Sequence, residues 1–194
     1  MRNIETRYAA AITVIALSGC ASPGTNWMDL TLPAAPDVAE IAPKTCVVVT
    51  RINYRQYGDP LPMPVRLTFN DIPSSGFASG LFTLESGTSF HAVTLRAGSH
   101  QWREIYMGSA GSIFRDDFIF NCAEKTVTYI GDVEIKLEIA TRKYTIQFPD
   151  MASVTEFEYK ARYPVLSAAH KLVLSPVKDP RGLWRKIDQP AAKP

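Results

Sequence analysis

Hydrophobic and polar residues alternate with a period of two along most of the chain between residues 45 and 148. This pattern is typical of β-strands with one face towards a core, because successive side chains in a strand point to opposite sides. Turn-forming residues separate the alternating stretches, and no helical period falls between them. The pattern predicts a mainly β fold, an antiparallel β-sandwich. The predicted strands cover residues 46–54, 65–70, 81–84, 90–95, 100–107, 114–122, 127–139 and 144–148.

One short C-terminal helix is predicted after the strands, at residues 150–162. Asp150 or Ser153 is suited to cap its first turn, and acidic residues early with basic residues late match the helix dipole. Pro164 interrupts this helix, and residues 165–174 fit either a second short helix or a last strand. After residue 175, proline and charge dominate, which predicts a flexible tail.

The first residues of the chain have the pattern of a secretory signal peptide. A basic start, with Arg2 and Arg7, precedes the apolar run at residues 8–17. As a helix this run would extend about 15 Å, roughly half the thickness of a bilayer's hydrocarbon core. A stable transmembrane anchor is therefore not expected from this segment.

The apolar run ends in Leu17-Ser18-Gly19-Cys20, which resembles the lipobox of bacterial lipoproteins. Small residues let the backbone enter the peptidase, and only a thiol can take the diacylglyceryl thioether. The resemblance implies that Cys20 becomes the acylated N-terminus of the mature chain, and that Ala21 directs it to the outer membrane. More than one acyl chain suffices for stable anchoring. An ordinary signal peptide followed by a chance cysteine is the alternative.

These signals divide the chain into four segments. Residues 1–19 are the predicted lipoprotein signal peptide, and residues 20–44 form a proline-rich tether. Residues 45–175 form the β-sandwich domain with its C-terminal helix, and residues 176–194 form the flexible basic tail.

Charge excludes one large class of partners. The chain has 21 basic and 19 acidic residues. Removal of residues 1–19 takes away two bases and one acid, so the mature chain has 19 basic and 18 acidic residues, a net charge of +1. Such a balance gives no electrostatic footprint for nucleic acid.

The two remaining cysteines, Cys46 and Cys122, predict a disulfide. Cys46 shares the apolar face of its strand with Val48, and Cys122 shares one with Phe120. Core residues of adjacent or facing strands approach within disulfide distance, and the predicted compartment is oxidising. Two separate buried thiols are the alternative.

Three segments together resemble those of certain small bacterial lipoprotein domains. They are residues 93–100, which place a glycine turn before His100, the aromatic-rich residues 114–121, and residues 125–132. The resemblance covers residues 45–139 and implies an immunoglobulin-like or prealbumin-like β-sandwich, in domains whose function is largely unassigned. It also implies a structural His100, whose ring bonds to loop backbone. A shared fold brings no activity with it.

No catalytic or metal-binding spacing is present in the sequence, so we predict no catalytic residue, metal or cofactor. The histidines are His91, His100 and His170, of which the first two are predicted on neighbouring strands that could approach across a hairpin. The adjacent Asp116 and Asp117 point to opposite faces of a strand, which does not suit shared acid–base work.

Aromatic residues offer a second kind of site. Trp102 and Tyr106 share a strand parity with His100, and an exposed row of this kind would be a platform for stacking sugars. The same parity also fits a core face. In the tail, Trp184 lies among basic residues that suit anionic headgroups or a partner, or simply solvent.

The sequence therefore predicts a lipoprotein anchored in the outer membrane and facing the periplasm, which acts as a non-enzymatic interaction or accessory module. Its expected partners are the membrane, through the N-terminal lipid, and an envelope protein. A glycan- or small-molecule-binding protein with an aromatic surface is the alternative, and a hydrolase the remote one. An exposed apolar patch would favour the partner module. A concave pocket that holds His100 with an acid would favour the enzyme.

Overall fold

The longest strand of the protein, Thr45–Tyr57, is buried on both of its faces. This computed structural model describes residues 32–34, 39–59, 64–73, 80–107, 110–114, 118–177 and 185–186. Within them, two β-sheets pack face to face, and two helices cover the outer face of the first sheet. The predicted mainly β sandwich with a short C-terminal helix is confirmed.

The elements follow the chain in the order strands, helices, strands. The strands are β1 (Leu32–Pro33), β2 (Thr45–Tyr57), β3 (Val65–Ile72), β4 (Gly80–Leu84), β5 (Gly87–Arg96), β6 (Gly98–Met107), β7 (Ala110–Ile113), β8 (Ile119–Cys122), β9 (Val127–Tyr129), β10 (Val133–Glu138), β11 (Lys143–Gln147), β12 (Leu172–Leu174) and β13 (Arg185–Lys186). The helices are α1 (Ala152–Arg162) and α2 (Pro164–Ala169).

The first sheet has the order β1-β5-β2-β10-β11-β13, with β9 beside β2 and β12 beside β9. The second sheet has the order β4-β3-β6-β7, with β8 also paired to β6. Strand β2 pairs antiparallel with β5 but parallel with β9 and β10, and β12 is parallel to β9. The first sheet is therefore mixed. Parallel pairing requires a long connection between the two strands. Here the chain between β2 and β9 forms β5 and the strands of the second sheet.

Two hydrophobic cores explain the sequence of β2. The sandwich core lies between the sheets, and the helix-side core lies between the first sheet and the helices. Val48 and Ile52 face the sandwich core, whereas Val47 and Val49 face the helix-side core. A strand covered on both faces is apolar at successive positions rather than at alternate ones.

The segment predicted as one strand at residues 127–139 is two strands, and the prediction of a single face is wrong there. Gly131 has a φ of 94° and separates β9 from β10. As a result Val127 lies in the helix-side core, while Ile135 lies in the sandwich core. Asp132 is buried at this break.

Residues 165–174, for which the sequence fits either a short helix or a last strand, contain both, because α2 is followed by β12. Pro164 is the first residue of α2, a position where proline's missing N–H costs nothing. Helix α1 begins after Met151, and the Ala152 N–H donates to the Asp150 carboxylate at 3.2 Å. The prediction of acidic residues in the first turn of the helix is wrong, because the first turn of α1 contains none. In the described part of the chain, no helix is long and apolar enough to cross a bilayer.

Candidate functional site

His100 is the most buried of the histidines and sits at the start of β6, directly after the turn at Gly98. Its Nδ1 lies 3.0 Å from Oδ1 of Asp71 on β3, and its Nε2 lies 3.0 Å from the carbonyl oxygen of Arg96. The ring stacks on Phe120, with 5.2 Å between the ring centroids. The ring thus bonds to the backbone carbonyl at the end of β5 and to a side chain of β3.

The partners of His100 limit its chemistry. The Arg96 carbonyl can only accept, so Nε2 carries a hydrogen and donates it. Nδ1 either donates to an ionised Asp71 or accepts from a protonated one. In both forms each ring nitrogen is occupied, and neither is free to take a proton from a substrate.

A cleft of about 600 Å³ opens beside His100 and Asp71. A concave pocket that holds His100 with an acid is the feature that would favour an enzyme. Its lining includes Asp71, Arg96, Ser99 and the edge of the buried His100. Ser99 donates to the side-chain oxygen of Asn121 at 2.6 Å. The cleft combines an acid with a histidine, but the histidine is fixed between two strands of the second sheet and the turn that precedes it.

The other histidines lie elsewhere. His91 is on β5 of the first sheet, so the prediction that it meets His100 across a hairpin is wrong. Its Nε2 lies 2.8 Å from the Ser89 hydroxyl, and burial lowers its pKa. His170 donates to the carbonyl of Ala39 at 2.8 Å, which ties the chain before β2 to the helices. No group of three His, Cys, Asp or Glu side chains in the described ranges could hold a metal ion.

The predicted aromatic platform is not on the surface. Trp102 is completely buried among the rings of Phe69, Phe82 and Phe120. The prediction that Tyr106 shares a strand face with Trp102 is also wrong, because Arg103 has no partner in the pairing of β3 with β6. Such a bulge reverses which face the following residues take. Tyr106 is half-buried, and burial together with Glu104 raises its pKa to about 12.

Cys46 and Cys122 form the predicted disulfide, with 6.0 Å between their Cα atoms. The bond joins β2 of the first sheet to β8 of the second, and both residues are buried in the sandwich core. It therefore links the two layers at one end of the sandwich.

A buried polar network attaches α1 to the first sheet. The Thr155 hydroxyl donates to Asp132 at 2.8 Å, and Arg51 lies 3.6 Å from Asp132 and 3.4 Å from Glu158. Burial raises the pKa of Asp132, although Thr155 and Arg51 favour its charged form. The Tyr129 hydroxyl accepts from the backbone N–H groups of Asp132 and Met151.

The opposite side of α1 is an apolar stripe that faces solvent. We define this stripe as Met151, Val154, Phe157 and Ala161, which are all exposed and recur every three or four residues. Phe157 is 76% exposed, more than any other large hydrophobic residue in the described ranges. The face of α1 towards the sheet contributes Thr155 and Tyr159 instead. Tyr159 packs in the helix-side core, so α1 has apolar side chains on both faces, whereas a typical surface helix has them only on the face towards the core.

The sequence analysis missed the apolar stripe, although its spacing was visible. Val154, Phe157 and Ala161 follow the i, i+3, i+7 pattern, and Thr155 with Tyr159 form a second row. Sequence periodicity shows both rows and does not say which one faces the sheet. Three predictions fall on residues outside the described ranges, namely Cys20 with its lipobox, Asp116 with Asp117, and Trp184. The predicted tail is described at residues 176–177 and 185–186, of which Arg185–Lys186 form β13 beside β11.

No family model, curated protein or solved structure matches this chain. The fold and its surface define a two-sheet β-sandwich with a helical layer that carries an exposed apolar stripe.

Proposed function

We propose that this chain is a lipoprotein anchored in the outer membrane through Cys20 and facing the periplasm. Its β-sandwich domain then acts as a non-enzymatic interaction module for an envelope protein. The lipobox Leu17-Ser18-Gly19-Cys20 supports the anchor, and the pairing of Cys46 with Cys122 suits an oxidising compartment.

The observation that carries the interaction module is the apolar stripe on α1. Exposed phenylalanine, valine and methionine side chains on one helix face gain free energy when a partner covers them, roughly 25 cal/mol per Å² of apolar surface. Contiguous apolar surface on a soluble domain marks an interaction site. The stripe therefore supports binding through α1.

The spacing of the stripe also suggests the mode of binding. Helices that dock into an apolar groove of a partner present anchors at i, i+3 and i+7. Val154, Phe157 and Ala161 have this spacing, and the ion pair between Glu156 and Lys160, 2.7 Å apart, lies on the same exposed helix. We propose that the partner offers an apolar groove with a polar rim.

The alternative functions have less support from the described residues. A glycan platform built on Trp102 would need a side chain that is fully buried here. A hydrolase that uses His100 as its base would need a ring nitrogen that is occupied here by Arg96 or Asp71.

Crosslinking inside intact cells tests the interaction module. A photoreactive amino acid replaces Phe157 in the complete lipidated chain, and a matched control places it at Thr83, which is exposed on β4 of the other sheet. We expect a discrete protein adduct from position 157, none from position 83, and loss of the adduct when Val154→Glu is added. Equal adducts from both positions, or none from position 157, would contradict the proposal.

Fractionation tests the anchor separately. Cys20→Ala removes the thiol that would be acylated, so the variant should remain unprocessed or become soluble. Membrane partition of a fully processed Cys20→Ala chain would show that Cys20 is not the anchor.

A further inference from the structure

Three basic residues lie on neighbouring backbone segments at one end of the sandwich, where β2 begins and β5 ends. Arg96 pairs with Thr45 across these strands. The Ala97 N–H donates to the carbonyl of Lys44 at 2.9 Å, and the Lys125 N–H donates to the carbonyl of Thr45 at 2.8 Å. Backbone hydrogen bonds therefore hold Lys44, Arg96 and Lys125 on neighbouring turns. We call these three residues the basic end.

The charges of the basic end are unpaired within the part of the chain that the structure describes. All three side chains are exposed, and none forms an ion pair with a described residue. Glu124 is an acid on the same turns, and Asp71 lines the same cleft as Arg96. The three cations of the basic end therefore exceed these two acids by one charge.

Strand β1 begins on the side of the basic end. It pairs antiparallel with β5, with Leu32 opposite Thr94 and Pro33 opposite Val93. Because β5 runs towards Arg96 and β1 runs away from it, Leu32 is the residue of β1 nearer to the basic end. Leu32 follows Cys20 by 12 residues, a span of at most about 40 Å when extended.

We propose that the basic end binds the anionic phosphate headgroups of the membrane that holds the Cys20 acyl chains. This inference rests on the proposed lipoprotein function, which supplies the anchor and keeps the domain close to the bilayer. A short tether raises the effective concentration of the second contact to the millimolar range. The attraction between these cations and an anionic surface then favours the docked orientation, and salt weakens this attraction by screening it.

Docking of the basic end leaves the apolar stripe free. Helix α1 covers a face of the first sheet, whereas the basic end lies where strands of that sheet begin and end. A domain held by the basic end therefore presents α1 to the side, along the membrane surface, where a partner can reach it. The two contacts support each other and do not compete.

Hydrogen exchange on the purified lipidated chain in nanodiscs tests the inference. One set of discs contains phosphatidylglycerol and the other contains phosphatidylcholine alone. Each net positive charge near an anionic surface gives about a fivefold preference, and the basic end has a net excess of one. The amides of residues 97–99 and 123–126 should then exchange about fivefold more slowly in the anionic discs.

Charge reversal supplies the control. The variant Lys44→Glu, Arg96→Glu, Lys125→Glu should lose the protection, and raised salt should remove it from the unaltered chain. The matched variant Arg55→Glu, Arg142→Glu, Lys143→Glu makes the same change at exposed positions near the opposite end and should keep it. The salt titration needs no substitution, so it decides the question even if a variant fails to fold.

Equal exchange in the two kinds of disc would overturn the inference, and so would protection that survives charge reversal or raised salt. Mass spectrometry of the purified chain reports acylation independently. If Cys20 carries no lipid, the lipoprotein proposal fails, and anionic vesicles added to that chain test the basic end alone. Salt-sensitive protection by those vesicles would support the headgroup contact, and its absence would refute it.

Discussion

Phe157 and Tyr159 lie two residues apart on α1 and point in opposite directions, with Phe157 76% exposed and Tyr159 1% exposed. The more apolar of the two side chains is thus the one left in solvent. A substitution at Phe157 should separate binding from stability, because exposed positions contribute little to folding. We expect Phe157→Ser to change the free energy of unfolding by less than about 0.5 kcal/mol, as measured by urea denaturation. A loss of several kcal/mol would show that Phe157 packs within the domain.

Two tyrosines at the helix–sheet boundary form a matched pair for the next prediction. The Tyr129 hydroxyl accepts hydrogen bonds from two backbone N–H groups, whereas the buried Tyr159 hydroxyl has no hydrogen-bond partner among the described residues. Tyr129→Phe should cost about 1–3 kcal/mol, since it leaves buried donors unsatisfied. Tyr159→Phe should be neutral or slightly stabilising. Denaturation curves of the two variants check this, and equal costs would contradict the assigned bonds.

The disulfide should contribute strongly to stability. Cys46 and Cys122 are separated by 76 positions, and closure of a long loop restricts the unfolded chain. Its removal typically costs about 2–5 kcal/mol. We expect the doubly substituted Cys46→Ala, Cys122→Ala chain to unfold at lower urea, and a reductant to destabilise only the unaltered chain. Two alkylatable thiols in folded protein from the periplasm would contradict the bond.

His100 should act on stability through its two bonds. His100→Ala removes the ring that joins β6 to Asp71 and to the carbonyl of Arg96, and it leaves a cavity beside Phe120. We expect a loss of about 2–4 kcal/mol. His91→Ala, at a less buried ring with one hydroxyl partner, is the control and should cost less. A larger cost for His91→Ala would contradict this account.

The sequence predicts well what depends on local alternation. The strand at residues 65–70 and its inward residues Leu67 and Phe69 follow directly from a period of two. The period fails where the backbone departs from a regular strand, as at Gly131 and at the bulge beside Arg103. In both places one irregular residue reverses the face of the residues that follow. A glycine inside an alternating segment is a sequence signal of such a break, whereas nothing in the sequence marks the bulge at Arg103.

The exposure of the apolar stripe on α1 could not be predicted from the sequence, for a different reason. The apolar stripe on α1 faces solvent because Thr155 and Glu158 bond to groups of the first sheet. Those groups, Asp132 and Arg51, are far from the helix in sequence. The choice between the two faces is therefore made by tertiary contacts that periodicity does not contain.

Asp132 gives a prediction with an unusual sign. Burial raises the pKa of this carboxyl in the folded state above its value in the unfolded chain, which is near 4. The folded state therefore favours the protonated form, so the stability that Asp132 contributes is full below about pH 4 and is lost as pH rises through the raised value. Most paired carboxylates behave in the opposite way.

Asp132→Asn removes this titration while it keeps an oxygen to accept from Thr155. We therefore expect the stability of Asp132→Asn relative to the unaltered chain to increase between about pH 4 and pH 7. Urea denaturation at several pH values measures the difference, and Glu85→Gln at an exposed position is the control, for which the difference should stay flat. If the relative stability of Asp132→Asn fell with rising pH instead, the ion pair with Arg51 would outweigh burial, and Asp132 would be an ordinary salt-bridge partner.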